Sequence, residues 1–204
     1  GSLLPPLVDA GEAGRLPASV EVVLSDRPNA PGLEWAKNRG LRTVCVDRKM
    51  HPRRGNGEQG ERNSRAIPGD VPSLSDRILD ELHSSADLIV LAGFLSILEG
   101  ALLDEYSGRI LNIHPALLPA HGGMGMYGMK VHEAVAASGD RLSGCTVHFV
   151  TEGVDRGPVI LRRTVELSGS EAPEQIRDKV RPLEGPALVD AVQMVLSGKR
   201  GEDG

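Results

Sequence analysis

Arg109-Ile-Leu-Asn-Ile-His-Pro-Ala-Leu-Leu-Pro119 is the stretch that decides how the rest of the chain is read. Arg109–Ile113 has the apolar, β-branched content of a buried strand. Residues i and i+2 of a strand share a face, so Asn112 and His114 project together while Leu111 and Ile113 take the opposite side. Pro115 disfavours helical geometry in the residue before it, which keeps His114 extended. Two polar side chains therefore emerge at the carboxyl end of a strand, where open α/β sheets bind their ligands. An amide N–H and an imidazolium together stabilise an oxyanion, and the imidazole also exchanges protons. Taken alone, Asn-x-His-Pro is a weak signal that more often marks a hydrogen-bonded structural histidine.

Outward from this strand, β-branched runs alternate with helical stretches, the pattern of an α/β protein. Strands are expected at Val20–Ser25, Arg42–Val46, Leu88–Ala92, Arg109–Ile113, Thr146–Val150 and Val159–Val165. Helices are expected at Leu3–Gly11, Gly32–Arg39, Ser73–His83, Val131–Ala137 and from Ala172 to about Leu196, the last kinked or broken at Pro182 and Pro186. The fold class that follows is a doubly wound, mostly parallel sheet with helices on both faces. Residues 1–204 read as a single domain, with a Gly-, Arg- and Pro-rich surface excursion at about 48–70. Gly1-Ser2 leads directly into the first helix, reading either as a cloning scar or as the tail of a phosphate-binding loop whose strand is absent. A sheet lacking that central strand would be left with two edges.

Composition removes several functional classes. A net charge of −5, from 23 basic and 28 acidic residues, with Trp35, Phe94, Tyr106, Tyr127 and Phe149 scattered singly, argues against nucleic-acid binding. No apolar run approaches the ~20 residues of a membrane span, and nothing resembles a signal peptide. Cys45 and Cys145 lie far apart in apolar surroundings, as buried free thiols of a cytoplasmic protein rather than zinc ligands or a redox pair.

Two further polar elements lie downstream. In Val150-Thr-Glu-Gly-Val-Asp-Arg-Gly-Pro-Val159, Gly153 and Gly157 bracket a tight loop that holds Asp155. Asp155 is a solvated loop residue unless the fold carries it to His114, where its charge would favour the imidazolium and raise the histidine pKa. The run His121-Gly-Gly-Met-Gly-Met-Tyr-Gly128 is glycine-dense, matches no nucleotide-loop spacing, and reads as a flexible loop.

In order and spacing several segments resemble the glycinamide ribonucleotide formyltransferases. They are Asn112-Ile113-His114-Pro115 with Leu117-Leu118-Pro119, then Gly122-Gly123…Gly125-Met126-Tyr127-Gly128, Val131-His132, Thr146-Val147-His148-Phe149-Val150 and Asp155…Gly157-Pro158-Val159-Ile160. The likeness runs from about Gly1 to Leu196 and is most specific over Leu91–Ile160. It implies the formyltransferase fold and transfer of a formyl group from 10-formyltetrahydrofolate, as co-substrate, to the amine of glycinamide ribonucleotide in purine biosynthesis. It further implies a catalytic trio of Asn112, His114 and Asp155, and a phosphate loop ending in Gly1, Ser2 and Leu3. Glu184 then lies near the substrate amine, while Leu95, Ser96, Ile97 and Leu98, with Asn112 and Thr151, Glu152, Gly153 and Val154, enclose the folate. Direct amine attack through an oxyanion needs no metal and no covalent enzyme intermediate, and the protein is expected to be a monomer or homodimer acting on small molecules.

The chain departs from the family where many relatives carry an Arg ahead of the third helix, since it reads Asp70-Val71-Pro72-Ser73 there. Other folate-dependent formyltransferases and the formyltetrahydrofolate hydrolases share the Asn-x-His and Asp elements and stand as the alternative. A non-catalytic binding module would have lost one of Asn112, His114 and Asp155, and all three are present. A plain dinucleotide-binding domain would need a Gly-x-Gly-x-x-Gly after a strand, which the chain lacks.

Overall fold

The computed structural model describes residues 2–51, 72–82 and 86–198. Most of the excursion at 48–70, the departing segment Asp70-Val71 and the end of the third expected helix at His83 lie outside them.

Six helices and six strands follow in the order α1 Leu4–Glu12, β1 Val22–Ser25, α2 Pro31–Asn38, β2 Arg42–Cys45, α3 Leu74–Leu82, β3 Ile89–Leu91, α4 Ala101–Glu105, β4 Ile110–His114, α5 Met129–Ser138, β5 Leu142–Phe149, β6 Val159–Glu166 and α6 Pro173–Leu196, counted over the described residues. Local chemistry sets several of these ends. Pro31 and Pro173 open α2 and α6 at the first helical position, where no N–H is required. At α3 the Ser73 N–H donates to Asp76 Oδ2 at 3.0 Å and the Asp76 N–H to Ser73 Oγ at 3.2 Å, a reciprocal cap. Gly139, left-handed at φ 71°, ends α5.

The strands form two sheets rather than one. β1 and β2 pair in parallel, and the second sheet has the order β3-β4-β5-β6. Its first pair is parallel and the other two are antiparallel. β1 and β3 each lack a partner on one side among the described residues.

Helices cover both faces, as expected. On one, Leu111 and Ile113 of β4 pack with α1, α5, α6 and the inner residues of β5 and β6. On the other, Ile110 joins Ile78 and Leu82 of α3, Leu102 of α4 and Val46. β4 is thus buried on both sides, which accounts for its short apolar run.

Three details differ from the sequence reading. β5 begins at Leu142, ahead of the expected Thr146, because pairing with β6 extends through Leu142↔Glu166. α4 is too short to show an apolar period. α6 is neither broken at Pro182 nor at Pro186 but runs unbroken to Leu196. Both prolines stand on its exposed side, four residues apart, so the carbonyls they leave without donors face water, while Ile176, Val180, Leu188 and Val192 hold the other side in the core.

Candidate active site

The alternation along β4 places Asn112 and His114 on one face, and antiparallel pairing sets His148 opposite Asn112 and Thr146 opposite His114. The turn after His114 is anchored from β5 and β6. Buried Thr146 accepts the Leu118 N–H at 3.0 Å and donates its hydroxyl to the Ala116 carbonyl at 2.7 Å. Arg162 donates to the Leu118 carbonyl through Nε at 3.2 Å and Nη2 at 3.0 Å.

Asp155 arrives from the loop between β5 and β6, with a left-handed backbone at φ 56° that aspartate tolerates better than most side chains. Gly157 lets this loop close: a Cβ there would overlap the Phe149 carbonyl. Asp155 ends between two buried imidazoles, Oδ2 at 3.5 Å from His114 Nδ1 and Oδ1 at 3.5 Å from His148 Nε2. Oδ2 also accepts the Gly123 N–H at 3.0 Å.

The tautomers follow from the partners. His114 Nε2 lies 2.8 Å from the His121 carbonyl, which only accepts, so Nε2 carries the proton and Nδ1 of the neutral ring turns its lone pair to Asp155. His148 Nδ1 likewise donates to the Phe149 carbonyl at 2.9 Å, leaving Nε2 to accept the Asn112 Nδ2–H at 3.2 Å. Asn112 keeps a second N–H for a ligand.

Burial pushes the His114 pKa below its ordinary value, and the opposing pull of Asp155 and the His121 carbonyl does not offset it. The sequence reading expected Asp155 to raise this pKa. Its effect has that sign, but desolvation is larger. Burial alone would raise Asp155, yet the two neighbouring imidazoles and the hydrogen bond from the Gly123 N–H hold its carboxyl below the usual range.

Two cavities reach residues next to this trio, one at Pro115 and the other at Gly123. One, of about 370 Å³, is walled by Pro115, by His132 of α5 and by Arg177, Val180, Arg181 and Glu184 on one face of α6. Burial raises the Glu184 pKa, against the pull of Arg181. The other, of about 280 Å³, lies between three loops and is lined by Ile97, Gly123, Met124, Glu152, Gly153 and Val154.

The structure therefore brings Asn112, His114 and Asp155 together and sets Glu184 in one cavity and Ile97, Glu152, Gly153 and Val154 in the other. Leu95 and Thr151 are exposed nearby in sequence. The Ser96 hydroxyl donates to buried Asp26 at 2.6 Å, and Leu98 is buried in the core cluster of α3 and α4, so what these two offer a ligand is backbone. Gly1 lies outside the described residues; Ser2 is an exposed turn residue and Leu3 is the N-cap of α1. Pro5 and Pro6 carry no N–H, so amide donors at that end come from Leu4 and the residues before it. Pro6 sits against Gly185, beside Glu184, which brings this end of α1 to α6.

Sequence reasoning assigned no role to His148 or to the backbone of the glycine-dense loop. His148 was recoverable from period two, since it shares a face with Thr146 on a strand next to β4. The loop contributes main-chain groups, the His121 carbonyl and the Gly123 N–H, and main-chain groups leave no residue-type signal.

A model of the formyl transferase family matches residues 1–192. The phosphoribosylglycinamide formyltransferase of Escherichia coli is 33% identical over 186 residues, which cover 90% of this chain and 77% of that protein. The trifunctional purine biosynthetic protein adenosine-3 of Gallus gallus is 34% identical over 198 residues, 97% of this chain, and the chain spans 18% of that protein's length. Among solved structures, glycinamide ribonucleotide transformylase 1 from Symbiobacterium toebii has a TM-score of 0.81 at 32% identity, covering 97% of this chain and 83% of that one. A match that runs from α1 through the end of β6 and nearly all of α6, over the loops that assemble Asn112, His114 and Asp155, shows that the chain belongs to the formyl transferase family.

Proposed function

We propose that the chain transfers a formyl group from 10-formyltetrahydrofolate to the amine of glycinamide ribonucleotide, a step of purine biosynthesis. The observation that carries this reading is the meeting of Asn112, His114 and Asp155, with Pro115 beside His114 lining one cavity and Gly123, whose N–H Asp155 accepts, lining another. Arg177 and Arg181 give the larger cavity positive charge suited to a phosphate-bearing substrate, with Ser2 and Leu3 beside α6 as further phosphate contacts and Glu184 toward the amine. The loop cavity takes the pterin.

The unprotonated amine attacks the formyl carbon. A C–N bond forms, and the former carbonyl oxygen takes the electron pair as an oxyanion. The free N–H of Asn112 donates to it, joined by His114 Nε2–H once that group leaves the His121 carbonyl. The attacking nitrogen, now positive, gives a proton through water to the Asp155–His114 pair, where neutral His114 Nδ1 receives it beside the carboxylate. Collapse of the intermediate breaks the bond to the folate nitrogen, which leaves with a proton returned by the same pair. A lowered His114 pKa suits this role, because the ring starts neutral and gains its charge as the oxyanion forms.

The test is formyl transfer by the purified chain with 10-formyltetrahydrofolate and, in parallel, glycinamide ribonucleotide, an amino sugar nucleotide, aminoacylated initiator tRNA and water as acceptors. Turnover confined to glycinamide ribonucleotide is the expected result; turnover with another acceptor only would reassign the substrate.

A further inference from the structure

We propose that Asp140 is a positioning residue for formyl transfer: by holding the His121 ring it fixes the His121 carbonyl that sets the tautomer of His114. Its effect on turnover rests on the reading just given, to which it adds a side chain outside the trio and outside both cavities.

Among the described residues, His121 and Asp155 are the two other than glycine with a left-handed backbone, at φ 53° and 56°. They meet the two nitrogens of one ring. Asp155 Oδ2 lies 3.5 Å from His114 Nδ1, and the His121 carbonyl lies 2.8 Å from His114 Nε2. Residues with a side chain keep this conformation only where surrounding contacts hold it, and they gather at functional sites. Asp155 is held by the Gly123 N–H. For His121 the hold comes through its ring, whose Nε2 lies 2.7 Å from Asp140 Oδ2. An ionised carboxylate only accepts, so this ring nitrogen donates.

Asp140 stands on a fixed part of the fold. It occupies the short connection at 139–141 between α5 and β5, which opens on left-handed Gly139 and whose Arg141 carbonyl accepts the Leu167 N–H at 3.0 Å. The bond from the His121 ring is the chief cause that keeps the Asp140 carboxyl below its ordinary range. The stretch it anchors touches both members of the central pair, since the His121 carbonyl meets His114 and the Gly123 N–H meets Asp155. Released from Asp140, the His121 backbone relaxes from its left-handed state and turns its carbonyl away, and His114 loses the acceptor that keeps its proton on Nε2. The proton then sits on Nδ1 facing Asp155, and Nε2 offers the oxyanion a lone pair instead of a donor.

Formyl-transfer kinetics of the full chain and ¹⁵N NMR of the His114 ring test this link. In the wild type, Nε2 should carry the proton. Asp140→Ala should populate the Nδ1–H tautomer and lower kcat about 5- to 30-fold, the loss of one charged hydrogen bond at a partly exposed carboxylate, with both KM values held within about twofold. Asp140→Asn keeps an oxygen that accepts the His121 N–H and should recover most of kcat together with the wild-type tautomer. In a His121→Gly background, which permits the left-handed backbone and has no ring to hold, Asp140→Ala should change neither quantity further. A wild-type tautomer and kcat in Asp140→Ala would overturn the inference. So would an equal loss with and without the His121 ring, which would show that Asp140 serves only its own turn. If the wild type transfers no formyl group to glycinamide ribonucleotide, the proposed function falls, and the ring tautomers still decide whether Asp140 acts on His114.

Discussion

The two cavities beside Asp155 and His114 are made of different material. The larger is built from side chains on two helices, α5 and α6, that are buried in the core along their other faces. The smaller is built from loops: Ile97 after β3, Gly123 and Met124 after β4, and Glu152–Val154 with Arg156 after β5. Helix-borne side chains select by charge and donor pattern and change one residue at a time. Loop cavities select by shape and backbone hydrogen bonds and depend on conformations that few residue types allow. The trio takes one member, Asp155, from the loops and two, Asn112 and His114, from a strand.

Variants separate these contributions. In the trio, Asn112→Ala should lower kcat by about 10²–10³ without a matching change in either KM, the loss expected for one oxyanion donor; a change confined to KM would make Asn112 a binding residue. On the helix side, Glu184→Gln should weaken the ribonucleotide about tenfold and leave the folate KM unchanged. Because burial raises the Glu184 pKa, ionising this residue at pH 7 opposes folding, so the same variant should raise Tm. A variant that binds normally would place the amine elsewhere. On the loop side, Gly123 adopts φ 98°, which strains any other residue by about 1–3 kcal/mol. Gly123→Ala should shift the N–H that Asp155 accepts and raise the folate KM several-fold while the ribonucleotide KM holds. Equal changes in both would mean that the loop cavity is not separate.

The smallest effect is on stability against pH. His114 binds its proton less readily folded than unfolded, so its contribution is present above the unfolded pKa of about 6.5 and is lost as pH falls from there toward the lower folded value. Tm should therefore fall less between pH 7 and pH 5 in His114→Gln than in the wild type.

The sequence reading reached the strand-borne half of this site more easily than the loop-borne half. Asn112 and His114 are legible because period two and Pro115 fix their direction without knowledge of anything else in the fold. Asp155 needed the resemblance, since its nearness to His114 depends on the β4–β5 register. His121 and Gly123 act through main-chain atoms. The unbroken α6 was misread because proline was weighed by propensity, while the buried stripe on the opposite face decides whether that helix continues. Strand β5 was read short because its first residues, Leu142–Cys145, include Gly144, which sits so close to β6 that a Cβ would overlap the Arg163 carbonyl.

The coupling of Asp155 to His114, 3.5 Å apart, is tested most directly by titrating the His114 ring by NMR in the wild type and in Asp155→Asn. The wild-type pKa should lie below about 6.5, because burial outweighs the carboxylate, and should fall further in the variant, because the neighbouring negative charge that favours the imidazolium is removed. A wild-type value above 6.5, or one that does not move when Asp155 loses its charge, would contradict the arrangement in which the buried ring rests neutral beside an ionised Asp155.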